Sequence, residues 1–364
     1  MKLSVLDLLP VRTNQTTADS VASAVSLAQC AERLGFTRFW VAEHHNMEAV
    51  AATAPPVLMA HIAANTSRIR LGSGGVMLPN HAPLTVAEQF SLLEAMHPGR
   101  IDLGIGRAPG SDPVTAYMLR GPRTEDSPVD TFPDDVETVA ALLGSDDTPI
   151  TDPFDREQQP GVVIPLRGRQ YALRSTPRAS SSPRVWLLGS STYSAQLAAK
   201  LGLAFVYAHH FGQPGIESAL AVYRREFQPS QALAAPLTFL TDNAVVAETH
   251  EEAMALALPQ LITMARLRSG GALGPQLTVE EAKAETLNPM EEDLMADQLE
   301  RWIVGTPDVA AERIRRLTER YEVDEVMVSA VASDYADEDR RENRGKQRTL
   351  ELLARELLPQ TAEV

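Results

Sequence analysis

Arg38-Phe39-Trp40-Val41-Ala42-Glu43-His44-His45-Asn46 runs from an aromatic and β-branched stretch directly into an acid and two imidazoles. The first five residues suit a buried strand. The residues before them, Ala18 to Leu34, repeat apolar positions at helical spacing and stop at Gly35, a helix terminator. A helix therefore feeds a strand whose far end carries reactive side chains. That is the layout of repeated βα units around a parallel sheet, where chemistry collects at the C-terminal strand ends.

The same rhythm extends both ways along the chain. Strands are predicted at Leu3 to Leu8, Arg38 to Ala42, Ile69 to Gly74, Ile101 to Ile105, Val185 to Leu188, Ala204 to Tyr207, Ala244 to Ala247 and Glu325 to Val328. Helical patterns alternate with them, and a last helix is predicted over Asp337 to Leu358 with a solvated charged face at Asp337 to Arg348. Eight strands with intervening helices predict an α/β fold, a closed (β/α)8 TIM barrel built as one domain over residues 1–364. Two insertions interrupt it. The first, near 145–183, is rich in Pro, Ser and Asp, with a hairpin near Val162 to Leu173. The second, near 269–304, carries Gly270-Gly271, Gly274-Pro275 and Asn288-Pro289, and reads as an irregular segment, either a lid over a ligand or a disordered flap.

Composition narrows the partners. Thirty-three Lys and Arg against 48 Asp and Glu give a net charge of −15, a field that repels nucleic acid and anionic membrane. Cys30 is the single cysteine, so no internal disulfide or thiolate metal cluster can form, and it reads as a small buried hydrophobe. No signal peptide or membrane span is evident, which predicts a cytoplasmic protein. Pro55 to Ala64 is apolar on nearly every face and needs a cover, either an inserted segment of the same chain or, most simply, a second copy, which predicts a homodimer.

Reactive side chains then fall at predicted strand ends. His44 suits proton transfer and Glu43 suits a hydrogen-bond acceptor that orients a ligand or an imidazole. Gly74-Gly75, ending the third strand, permits close approach of a flat ligand or a tight turn. Arg107, after the fourth, suits a bidentate phosphate contact. Gly189-Ser190-Ser191, between the fifth strand and a helix, suits either an anion cradle or plain N-capping. His45 and the pair His209-His210 suit contact with substrate, or simply finish the rim. Read alone, Glu43-His44-His45 leaves metal binding, proton transfer and a polar rim all open. Adjacent strand residues diverge, which argues against a metal there, and further ligands would have to come from His209-His210.

Taken together, Trp40 to His45, Leu71 to Pro79, Gly99 to Gly110 and Leu188 to Ser191 resemble the bacterial luciferase-like monooxygenase family, in order and over most of the chain. The resemblance implies a (β/α)8 barrel with FMN at its C-terminal mouth. It assigns His44 as the catalytic histidine and Glu43 as an acidic neighbour of the flavin. Gly74-Gly75 match the place of a non-proline cis peptide under the isoalloxazine, and Arg107 with Ser190-Ser191 match phosphate contacts. It further implies reduced FMN delivered by a separate flavin reductase, reaction with O2 at the flavin C4a carbon, and a peroxide that attacks a small organic substrate such as an aldehyde-like one; no metal is expected. Deazaflavin-dependent hydride transfer and non-catalytic flavin binding are the alternatives within the same fold. Gly106 and Gly189 replace a reactive cysteine and a glutamate of the light-emitting members, which argues against bioluminescence. Arg120 and Arg123 are candidates for a second phosphate arginine.

Overall fold

Buried apolar runs pair edge to edge until the sheet closes on itself. The computed structural model describes residues 1–108, 112–120, 130–144, 161–271 and 273–359. The chain begins with β1 (Lys2–Asp7), α1 (Thr17–Leu34), β2 (Arg38–Val41), α2 (Pro55–Ala63), β3 (Arg70–Ser73), the short β4 (Val76–Met77), α3 (Pro83–Met96) and β5 (Ile101–Gly106). It continues through α4 (Pro113–Arg120), α5 (Phe132–Leu143), the antiparallel hairpin β6 (Val162–Leu166) and β7 (Arg169–Leu173), then β8 (Arg184–Gly189), α6 (Thr192–Leu201), β9 (Ala204–Tyr207) and α7 (Ile216–Glu226). The last third holds β10 (Thr238–Val246), α8 (His250–Arg268), α9 (Val279–Ala284), α10 (Pro289–Arg301), β11 (Ile303–Gly305), α11 (Pro307–Tyr321), β12 (Glu325–Ala330) and α12 (Arg344–Leu357).

Strands β1, β2, β3, β5, β8, β9, β10 and β12 pair in that order, and β12 returns to β1. All eight pairings are parallel, from Val5 opposite Phe39 to Phe205 opposite Thr238. This is a closed (β/α)8 TIM barrel. Each predicted strand is present, although β10 begins six residues before its predicted start and so carries Thr241, Asp242 and Asn243 within the sheet. The predicted hairpin is β6 and β7; residues 145–160 lie outside the described residues.

The barrel interior is layered. Arg38, Arg70 and Glu325 open their strands, with Asp102 second in β5, so they meet at the N-terminal end. Arg38 pairs with Glu325 and with Asp102, each at 2.7 Å, while Arg70 reaches the other oxygen of Asp102 at 2.7 Å. The indole N–H groups of Trp40 and Trp186 donate to Asp102 at 3.1 and 3.3 Å. Above them Trp40, Trp186 and Phe239 pack with ring centroids 4.9–5.8 Å apart, closing the barrel to solvent from below. Gly72 is required here, because any Cβ would overlap the Trp40 indole.

Three expectations are corrected. Residues 269–304 are not irregular: α9 and α10 occupy much of the segment, each opened by a capping box, Thr278 with Glu281 and Asn288 with Glu291. Each such cap stabilises by about 1 kcal/mol, enough to order a short helix against α8. The last helix starts at Arg344 rather than Asp337. Its charged run is also not fully solvated. Lys346 is 3% exposed and pairs with buried Asp7 at 2.7 Å, while Asn343 accepts from buried Arg12. Cys30 is free and buried, and burial pushes its thiol up to about 11. No helix among the described residues is long and apolar enough to cross a membrane.

Candidate active site

A cavity of about 310 Å3 opens at the C-terminal ends of the barrel strands. A larger one, about 460 Å3, lies at the N-terminal side of β8 and β9, but Arg184 is its one ionisable lining residue, so the chemistry belongs to the first. Sequence-predicted residues from four successive strands of the ring line that first cavity: Glu43 and His44, Gly74 and Gly75, Arg107, and Gly189 to Ser191.

Glu43 follows β2 and is 1% exposed. Its Oε1 accepts from Nε2 of His45 at 2.8 Å and from Nε2 of His81 at 2.7 Å, and its Oε2 accepts the Met77 N–H at 3.1 Å. Burial pushes this carboxyl up, but the bonds and positive charge from His81, with the His45 and Met77 bonds, outweigh it and hold it ionised. An ionised carboxylate only accepts, so both imidazoles carry their proton on Nε2. His45 meets Glu43 because residues two apart on an extended chain share a side, and Asn46, at φ 55°, then turns the chain. Glu43, His45 and His81 bring their ligand-type atoms within 4.8 Å of one another. The third member of this set is His81, which the sequence reading missed, rather than His209 or His210. Its only sequence signal was an imidazole on the rim after the third strand.

His44 points the other way and lines the cavity. Its Nδ1 is buried without a hydrogen-bond partner. Burial lowers its pKa, the Glu43 charge opposes this and His45 adds to it, so the ring is neutral at neutral pH. A neutral imidazole with an unclaimed nitrogen can accept or donate a proton to whatever fills the cavity.

The peptide bond Gly74-Gly75 is cis. A Cβ on Gly74 would lie 2.6 Å from Leu6 Cδ1, and one on Gly75 would lie 2.8 Å from the Gly104 carbonyl oxygen. At Gly75 the obstacle is backbone, so packing alone demands glycine there, whereas at Gly74 it is the end of the Leu6 side chain; together the two glycines leave a cavity wall of bare backbone.

The β8 end and the first turn of α6 form the second pole. Ser191 occupies the N-cap position with extended backbone, yet no side-chain cap is made, so the first-turn N–H groups of α6 stay open. The plain-capping reading is thus not realised. Arg107 lies over the ring of Tyr193, in that same turn, at 4.3 Å, and has no carboxylate partner among the described residues. A guanidinium, serine hydroxyls and an uncapped helix N-terminus are groups chemically able to hold an anion. At Gly189 a Cβ would overlap the Ser194 side chain, whereas at Gly106 it would clear its nearest neighbour by 3.8 Å. Glutamate cannot enter at 189 without a shift; cysteine could enter at 106.

The other predicted histidines part company. His210 lines the cavity and bonds Thr241 through Nδ1, and burial, with His209 and His44 nearby, pushes it down to about 4. His209 does not line the cavity and pairs with Asp242 at 3.0 Å. Arg123 lies outside the described residues, as does the side chain of Arg120. Sequence reading also missed Asn243 on β10, Gln260, Met264 and Arg268 on α8, and Trp302, all lining the cavity.

Residues 1–323 match the family model described as luciferase-like monooxygenase. The chain belongs to this family. Among its relatives, the N-acetyl-S-alkylcysteine monooxygenase of Bacillus subtilis (strain 168) is 36% identical over 329 residues, covering 90% of this chain and 92% of the relative. The crystal structure of apo-MsnO8 superposes with a TM-score of 0.80 at 32% identity, covering 97% of each chain. The oxygenating constituent of 3,6-diketocamphane monooxygenase from Pseudomonas putida, solved in complex with FMN, shares the fold at a TM-score of 0.69 and 18% identity, covering 99% of this chain and 98% of that one. This luciferase-like chain is thus matched along nearly its whole length.

Proposed function

We propose that this protein is an FMN-dependent monooxygenase that receives reduced FMN from a separate flavin reductase and uses O2 to oxidise a small organic substrate. One observation carries the reading. A single cavity joins an anion cradle at Arg107, Ser190 and Ser191 to a neutral His44 with an unclaimed Nδ1, across the bare-backbone wall of Gly74-Gly75. Bound reduced FMN would supply the two electrons that let one oxygen atom enter the substrate while the other leaves as water.

The residues divide the work. Arg107 and the α6 N-terminus hold the phosphate, Gly74 and Gly75 leave room for a flat ring, and His44 holds or moves a proton at Nδ1. Glu43 does not titrate in this scheme. It fixes the β2 end to His81 and to the Met77 backbone, and thereby fixes where His44 stands. His210 borders the substrate side. The relative that acts on N-acetyl-S-alkylcysteines makes soft, oxidisable thioethers a sensible first substrate panel.

Anaerobic titration with reduced FMN and with a reduced deazaflavin, followed by admission of air, tests the reading. Preferential FMN binding with O2 uptake is expected; preference for the deazaflavin, or FMN binding without O2 uptake, would overturn it. We also propose a homodimer through α2 and α3, because Val57 is 69% exposed and Leu92 and Met96 are about half exposed on helices that pack together. Sedimentation should show a dimer that Val57→Glu weakens.

A further inference from the structure

Once the flavin-side groups are assigned, one wall of the cavity is left without a task. Gln260, Met264 and Arg268 recur every four residues on α8, so they form one stripe of that helix, and all three line the cavity. α8 follows β10, and β10 stands three strands round the ring from β5, which carries Arg107 at its end. The two guanidiniums therefore occupy different sectors of the mouth.

Arg268 is unlike its neighbour. Arg266 pairs with Glu285 at 2.6 Å and with Glu291 at 3.7 Å. Arg268 has no hydrogen bond or ion pair among the described residues, although the chain carries fifteen more acidic than basic side chains. Glu43 is the one carboxylate lining the cavity among the described residues, and its three hydrogen bonds already engage both oxygens. An acidic protein thus has, among its described residues, two cations in one cavity with no carboxylate partner, which focuses anions there. A flavin phosphate accounts for Arg107 alone.

Other residues lining the same cavity define the remainder of a ligand. Met264 and Trp302 supply apolar surface. Gln260 accepts from Gln276 at 2.7 Å, which leaves its N–H groups as donors, and Asn243 donates to the His210 carbonyl at 3.4 Å, which leaves its oxygen as an acceptor. A donor and an acceptor beside an apolar patch suit an amide on an apolar body.

We propose that Arg268 binds the anionic end of the substrate, so that the enzyme acts on small carboxylates with an apolar body and an amide. The proposal rests on the flavin reading, which reserves Arg107 for the phosphate. It is tested with N-acetyl-S-benzyl-L-cysteine and its neutral carboxamide, titrated by calorimetry into protein with and without FMN, for the wild type, Arg268→Gln and Arg107→Gln. Exposure of Arg268 makes its replacement safe for folding. The acid is expected to bind at least tenfold more tightly than the carboxamide, and Arg268→Gln should remove that preference while changing FMN affinity less than twofold. An acid bound no more tightly than the carboxamide, including a wild type that binds neither, overturns the proposal. So does an Arg268→Gln protein that loses FMN as severely as Arg107→Gln. If the wild type takes up no FMN, the flavin reading falls by itself. A carboxylate preference in flavin-free protein that Arg268→Gln abolishes would then still support the anion site, and its absence would refute it.

Discussion

At the N-terminal end of the barrel each charge has its answer: Asp102 faces Arg38 and Arg70, and Arg38 also faces Glu325. At the C-terminal end Arg107 and Arg268 have no counter-charge among the described residues, and His44 keeps a buried nitrogen without a partner there. Arginine is present at both ends, so the contrast is not one of residue type. A buried charge stays bound to its counter-charge because separating them costs several kcal/mol. An open cavity can leave a cation to water until a ligand arrives. Charges satisfied by buried partners therefore belong to the architecture, and charges left open in the cavity are the ones a ligand could engage.

The largest effect should come from breaking the satisfied end. Asp102→Ala leaves Arg70 without a carboxylate, Arg38 with Glu325 alone and two indole N–H groups without their acceptor, and is expected to cost about 3–5 kcal/mol of stability, read from urea unfolding. A cost below about 1 kcal/mol would break the contrast, since the N-terminal end would then be no more structural than the mouth. At the mouth, His44→Ala should leave stability within about 1 kcal/mol of wild type. With reduced FMN it should lower turnover roughly 10²–10⁴-fold and raise the hydrogen peroxide released per O2 consumed, with FMN affinity unchanged. Arg107→Gln should weaken FMN binding by about 10–100-fold, the worth of a charge-assisted hydrogen bond, with little change in flavin-free stability.

How much of this was legible in the sequence follows the same division. Strands were readable because a parallel barrel strand is buried on both faces and spells itself as a short apolar run. Glu43, His44, Gly74, Arg107 and Ser191 were readable because polar or glycine residues at such ends stand out. His81 and Arg268 were not, since their meaning lies in what stands beside them: a carboxylate from a different strand in one case, the lack of any carboxylate in the other. Arg268 also sits on a long helix, where a basic residue in the last turn has an ordinary explanation in the helix dipole. The order of residues 278–301 was within reach. Thr278-Val279-Glu280-Glu281 and Asn288-Pro289-Met290-Glu291 both spell helix starts, but the surrounding glycines and prolines masked them.

Acid should separate the two ends in order, and this is the smallest effect. His210 has an ordinary value of 6.5 and is pushed down to about 4 by burial, with help from His209 and His44. Between those values the unfolded chain binds a proton that the folded one refuses, so stability rises with pH across the window and is lost as pH falls from 6.5 toward 4. Asp102 behaves differently. Burial pushes it up, but Arg38 and Arg70 bring it from 3.8 to about 2, so its contribution is intact above 3.8 and is lost only as pH falls toward 2. Urea midpoints measured for flavin-free protein from pH 7 downward should therefore fall first through the mouth and later through the N-terminal end. His210→Gln should flatten the upper limb and leave the lower one as it was. An upper limb unchanged by His210→Gln would mean that the fold tolerates a charged imidazole at the mouth, and a cavity able to do that would be as ready to hold cations as anions.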